Sequence, residues 1–182
     1  MRFDSGIVHR YNPRELSGFS DGETVNTLPD LEGSGDLSGS ATYRESGFNG
    51  YAALESNPAD SDTLQTTFGT ALSGQYHVFV VGNVNPTGGD EALIEGESAP
   101  LRVYDADFNA SNEWYLSTGN GNVSPVQYSG QSNDLITLEF EDGDSAFRVN
   151  ASDLKRSDAG SPQDLDGLTV AERKDQDDHL EM

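Results

Sequence analysis

The sequence predicts an all-β fold, an antiparallel β-sandwich of two sheets, and three observations carry that expectation. Few stretches of the 182 residues show the i, i+3, i+4, i+7 spacing of an amphipathic helix. Short runs of apolar and β-branched residues, bounded by Gly, Asn, Asp or Pro, recur instead. Apolar side chains make up only 34% of the chain while 20 residues are glycine, which suits short strands joined by many turns.

Along the chain, 6–10 and 51–54 are the weaker strand candidates. Clear strands are expected over 76–81 (YHVFVV), 92–95 (ALIE), 101–104 (LRVY), 113–116 (EWYL), 134–140 (DLITLEF), 146–150 (AFRVN) and 167–171 (GLTVA). Residues 33–39 and 83–90, rich in Gly, Asn, Ser and Pro, read as loops. Asp142-Gly143 is a strong hairpin signal, because Gly takes a positive φ at no steric cost, so 135–140 and 146–149 are expected to be antiparallel neighbours. No internal repeat divides the chain, and residues 1–173 read as one domain. At this length a domain buries about 70% of the surface that its unfolded chain exposes. Residues 174–182 (KDQDDHLEM) are mostly charged and read as a tail, or as the start of a further strand or domain.

The formal charge is −22, from 32 acidic and 10 basic residues. This balance resembles that of halophilic proteins, whose self-repulsion is relieved when the Debye length falls to about 3 Å near 1 M salt. A disordered acidic chain is the alternative, but 76–81, 135–140 and 147–149 are too apolar for it. Nucleic acid is excluded as an expected partner, since phosphate contacts need clustered cations and here the Arg residues stand singly among acids. No apolar run approaches the roughly 20 residues of a membrane span, and Met1 opens onto a polar stretch rather than a secretory apolar region. The chain is therefore expected to carry no export signal and to insert in no membrane. With no cysteine there is neither a disulfide scaffold nor a thiolate site.

Three blocks read together carry a family resemblance. Leu16-Ser17-Gly18-Phe19-Ser20-Asp21-Gly22-Glu23-Thr24-Val25, then Leu28-Pro29-Asp30, Gly33-Ser34-Gly35 and Gly47-Phe48-Asn49-Gly50-Tyr51-Ala52-Ala53-Leu54 form the first. The second is 76–81, and the third joins Leu135-Ile136-Thr137 and Asp142-Gly143 to Phe147-Arg148-Val149-Asn150 and Gly167-Leu168-Thr169-Val170-Ala171. Together they resemble the laminin G-like branch of the concanavalin A-like lectin and glucanase superfamily. Leu28 stands where that family commonly has Trp, and Ala151 and Ala171 stand where it has Gly. The resemblance implies a jelly roll, and the family's usual closing strand has no counterpart before Met182.

Glycosidases of that superfamily set two acids on one strand, one to protonate the leaving oxygen and one to attack. The nearest arrangement is Glu139 and Glu141, which as i, i+2 residues share a strand face but read better as an outward acidic pair. His9, His77 and His179 lie far apart without an HExxH spacing, and no G-x-S-x-G elbow is present, so no catalytic residue is assigned. His77 reads as a packed or exposed strand residue.

Asp105, Asp107 and Asn109 alternate oxygen donors, which suits Ca²⁺. Ala110 and Leu116 stand where an EF-hand needs Gly and Glu, so only a looser rim site of the lectin kind, joined by Asn112 or Glu113, is expected. Trp114 and Tyr115 are adjacent, so on a strand one ring faces the core and the other faces out, where it could stack on a sugar. Tyr104 and Tyr128 are further candidates for such a platform. Asn109, Asn122 and Asn150 open N-x-S sequons, weak pointers to an exterior location.

The function expected from these readings is non-enzymatic recognition of a glycan or surface glycoprotein. The setting expected is the extracellular surface or virion of a halophilic archaeon or its virus, with Ca²⁺ as the one candidate cofactor and other chains of an assembly as further partners. A structural assembly protein, oligomeric and without sugar binding, is the second expectation, and a glycoside hydrolase the third.

Overall fold

Short runs of apolar and β-branched residues bounded by turn residues become antiparallel strands in the computed structural model. The structure describes residues 6–56, 62–83, 90–96, 101–106, 113–127, 133–150 and 154–170. For residues 83, 90–93, 101–106, 113–114, 124–127 and 133–134 it describes the backbone alone. The described strands are β1 (Thr24–Leu28), β2 (Leu37–Phe48), β3 (Tyr51–Glu55), β4 (Leu64–Leu72), β5 (Tyr76–Asn83), β6 (Asp90–Glu95) and β7 (Leu101–Ala106). They continue as β8 (Glu113–Thr118), β9 (Asn122–Gln127), β10 (Asn133–Phe140), β11 (Ser145–Val149), β12 (Lys155–Ser157) and β13 (Leu165–Val170).

They form two antiparallel sheets. The larger runs β1-β2-β4-β13-β6-β7-β8-β9, with β3 also paired to β2, and the smaller runs β12-β11-β10-β5. The seven clear strands expected from the sequence are all present within a few residues of their expected bounds. The expected hairpin also forms. β10 and β11 pair with Leu138 opposite Phe147, across a turn in which Gly143 has φ 71° and the Asp144 amide donates to the Glu141 carbonyl at 3.3 Å.

Two expectations need correction. Residues 6–10 form no strand, because the Arg10 amide is taken by the Asp30 carboxylate and only one rung, Tyr11 opposite Asp30, joins this segment to its neighbour. The loop expected over 33–39 ends early, since β2 begins at Leu37. β2 and β4 are rich in Ser, Thr and Gly at their exposed positions, so their apolar period is diluted to scattered residues.

The sandwich core lies between the sheets. From the small sheet, alternate residues Tyr76, Val78 and Val80, then Ile136, Leu138 and Phe140, then Phe147 and Val149 point inward. They meet Phe68, Ile94, Leu116, Val123 and Leu165 of the large sheet. Each such burial stabilises by about 1.5–3 kcal/mol relative to exposure. Residues 158–164 close one end of the sandwich. Thr118 Oγ1 donates to the Ala159 carbonyl at 2.7 Å, Asn120 Nδ2 to the Ser161 carbonyl at 2.7 Å, and Tyr76 Oη to the Gln163 carbonyl at 3.0 Å.

A second cluster, Val25, Leu28, Leu37, Ala41, Tyr43, Leu54 and Leu64, sits on the β1–β4 part of the large sheet. The N-terminal segment covers it with Tyr11 and Leu16, which flank a 3-10 turn, Pro13–Glu15, whose Arg14 amide is capped by Asn12 Oδ1 at 3.2 Å. β2 and β3 join through Asn49-Gly50, both at positive φ (50° and 77°), the pair that a two-residue hairpin with right-handed twist requires. The Arg14 guanidinium lies 4.1 Å over the Tyr51 ring beside this turn, tying the segment to the hairpin.

Candidate functional site

Two places in the described structure concentrate polar or aromatic groups beyond what the core requires. The first is built on Asp30, whose side chain is fully buried. Its Oδ1 accepts from the amides of Arg10 (3.0 Å), Glu32 (3.2 Å) and Gly33 (2.9 Å). Its Oδ2 accepts from His9 Nδ1 (2.6 Å) and the Gly35 amide (3.2 Å). The loop can wrap this closely because Gly33 has no Cβ. One placed there would collide with Asp30 Oδ2 and come within 2.7 Å of the Val8 carbonyl and 2.8 Å of His9 Nδ1.

Burial alone would raise the Asp30 pKa, but the His9 hydrogen bond and then the amides of Arg10, Gly33 and Glu32 hold it well below the usual carboxylate range. Tyr11 Oη donates to the Gly35 carbonyl at 2.6 Å. Burial, and then the charges of Asp30 and Asp36, push that hydroxyl above the ordinary tyrosine range.

A buried Asp–His pair is also what a hydrolase uses to orient a base, which would then have to meet a nucleophile. Here His9 lies flat on Phe68, ring centroids 3.9 Å apart and planes 10° from parallel. Among the described residues no hydroxyl hydrogen-bonds this imidazole, whose bond is to Asp30. Among the described residues, every donor that meets Asp30 comes from the N-terminal segment or from the loop after β1. The arrangement therefore anchors that segment over the second hydrophobic cluster.

The second place is the outer face of the small sheet. On β5 the residues opposite in parity to the core, His77, Phe79 and Val81, point outward, as do Leu135, Thr137 and Glu139 on β10. His77 is exposed and Phe79 is 48% exposed; their rings stand 6.4 Å apart and within 13° of parallel. Val81 and Leu135, opposite each other in register, are 63% and 44% exposed. Towards β12 the same face becomes charged, where Arg156 bonds Glu139 and, at 2.9 Å, Asp144. Glu141 instead lies beyond the strand end and accepts from Gln75 Nε2 at 3.2 Å, so the two acids singled out in the sequence have separate partners.

The platform residues singled out in the sequence fall mostly outside what the structure describes. Tyr115 is half-buried on β8, with its backbone opposite Tyr104 on β7, and the backbone of Trp114 is opposite that of Asp105. The side chains of Trp114, Tyr104 and Asp105 lie outside the described residues, as do Tyr128, Asp107, Asn109 and His179 altogether. Among the described residues no three His, Asp or Glu side chains converge as metal ligands. Nor is any described helix long and apolar enough to cross a membrane.

The sequence reading missed both places. The Asp30 anchor had a signal, since Asp30 precedes Gly33-Ser34-Gly35 in the block that resembles the laminin G-like loop, but its partner His9 is 21 residues away. The aromatic pair His77 and Phe79 was legible as an i, i+2 pair on the clearest strand. Which parity faced outward was not, because Tyr76, Val78 and Val80 are equally apolar.

No family model matches the chain, and comparison with curated proteins and with solved structures finds no match either.

Proposed function

We propose that this chain is a non-enzymatic recognition module of the concanavalin A-like kind, which binds a glycan or surface glycoprotein through the outer face of its small sheet. The observation that carries the reading is the pair of exposed, near-parallel rings of His77 and Phe79 on β5. Aromatic faces stack on the apolar C–H face of a pyranose without needing charge. For a chain of net charge −22 that property matters, because salt at the level that screens its self-repulsion also screens ionic recognition. The setting proposed is a virion or cell surface of a halophile, and Ca²⁺ at Asp105, Asp107 and Asn109 is retained as part of the proposal.

The test is a glycan-array and surface-glycoprotein binding assay in multimolar salt, run with Ca²⁺ and with chelator, on the wild type and on Phe79→Ala. Saturable binding that falls by roughly two- to tenfold in Phe79→Ala supports the platform, in line with a stacking contact of about 0.5–1.5 kcal/mol. Loss with chelator adds the cation. Absence of binding in both conditions rejects the glycan reading. A second reading, a structural component of an assembly without sugar binding, is favoured by Val81 and Leu135, whose exposed aliphatic side chains suit a protein surface better than a sugar.

A further inference from the structure

The edges of the two sheets are not alike. An exposed edge strand offers unpaired amides and carbonyls to any other chain, and proteins blunt it by shortness, charge, proline or bulges. β12 has three residues and carries Lys155 and Arg156. β9 contains Pro125, which cannot donate to a further strand. β1 and β3 have five residues each, and the register of each against β2 is broken.

β5 has none of these devices. Its eight residues pair with β10 in unbroken register from Tyr76 opposite Phe140 to Asn83 opposite Asn133. It holds no proline, and its other side takes no partner among the described strands. In a chain with 32 acids, residues 63–89 contain no Asp, Glu, Lys or Arg.

We propose that β5 pairs antiparallel with β5 of a second copy of this chain, so that two small sheets become one across a two-fold axis. Charge selects a copy over an unlike partner. A cationic partner would be recognised through acids, which this sequence supplies in excess elsewhere. A second copy bearing the same −22 would be repelled by acids at the contact, and the β5 edge has none. An axis normal to the sheet keeps both outer faces on one side, with the exposed Val81 of each copy on the strand that forms the seam. The inference goes beyond the glycan reading and does not depend on it.

Edge pairing of one strand buries less than the roughly 1,600 Å² of a standard interface, so a reversible dimer is expected, tighter as salt screens the two chains. Sedimentation velocity of the full chain in multimolar salt should show a species of twice the 19.5 kDa chain mass that grows with protein concentration. Val81→Glu should weaken this dimer severalfold, and more strongly as salt is lowered, because it adds a like charge to each copy beside the seam. Val8→Glu, the same change at a 51% exposed site off the edge, should leave it unaltered, with the far-UV spectrum of both variants unchanged. Wild-type amide exchange gives a readout independent of any variant's folding, since β5 amides should gain protection with concentration. A wild type that stays monomeric throughout overturns the proposal. So does a dimer that Val81→Glu weakens no more than Val8→Glu, or β5 exchange that is independent of concentration. Sugar binding by the same samples is a separate readout, so failure of one reading is distinguishable from failure of the other.

Discussion

Asp30→Asn changes one buried oxygen into an NH₂ group and removes one charge, and the structure says what each change should do. The amide oxygen can stand at Oδ1 and keep the three amides of Arg10, Glu32 and Gly33. Those bonds become neutral and each loses on the order of 0.5 kcal/mol. At Oδ2 the new NH₂ faces two donors. His9 can yield by moving its proton to the other ring nitrogen, but the buried Gly35 amide cannot, and an unsatisfied buried amide costs about 1–3 kcal/mol. The sum is about 3 kcal/mol, which for a domain of this size lowers Tm by roughly 6–12 °C.

The pH dependence gives a sharper test of the same reasoning. The folded pKa of Asp30 lies below its unfolded value of about 3.9, so its contribution is fully present above that value and is lost as pH falls through the folded pKa. Urea unfolding at fixed high salt should therefore give a difference between wild type and Asp30→Asn that is constant from about pH 7 to 5 and shrinks below about pH 4. Taking the difference removes the other carboxylates, which titrate in both proteins. Equal stability at pH 7, or two curves that stay parallel into acid, would refute the assignment of Asp30 as a buried, charge-bearing anchor.

Gly33→Ala should cost about 1–3 kcal/mol by overpacking, read by the same unfolding assay, because its Cβ has no room between Asp30, Val8 and His9. Phe140→Ala should cost about 3–5 kcal/mol, since the ring is wholly buried and stacks on Tyr76 at 4.8 Å. The melting temperature should rise from low to multimolar salt as the repulsion behind a charge of −22 is screened, and a flat profile would argue against the halophilic reading. Tyr11 holds its proton beyond the ordinary range, so its contribution is complete below about pH 10 and lost as pH rises further. Tyr11→Phe should therefore lessen the alkaline loss of stability seen in a pH series of thermal melts.

That this chain is built of antiparallel strands was legible in its sequence. Runs of apolar and β-branched residues and the turn residues that bound them act over a few positions, so YHVFVV, DLITLEF and the Asp142-Gly143 turn declare themselves locally, and β5, β10 and β11 follow. β2 and β4 were not legible, because their Ser, Thr and Gly positions acquire meaning only from the sheets on either side. Tertiary structure alone decided the rest. It placed His9 against Asp30, gathering five donors on one carboxylate from segments that lie apart in the chain. It also chose which parity of β5 faces the core. Both parities are apolar enough to be buried, and the opposing surface of Phe68, Ile94 and Leu116 took Tyr76, Val78 and Val80, leaving His77, Phe79 and Val81 on the outside.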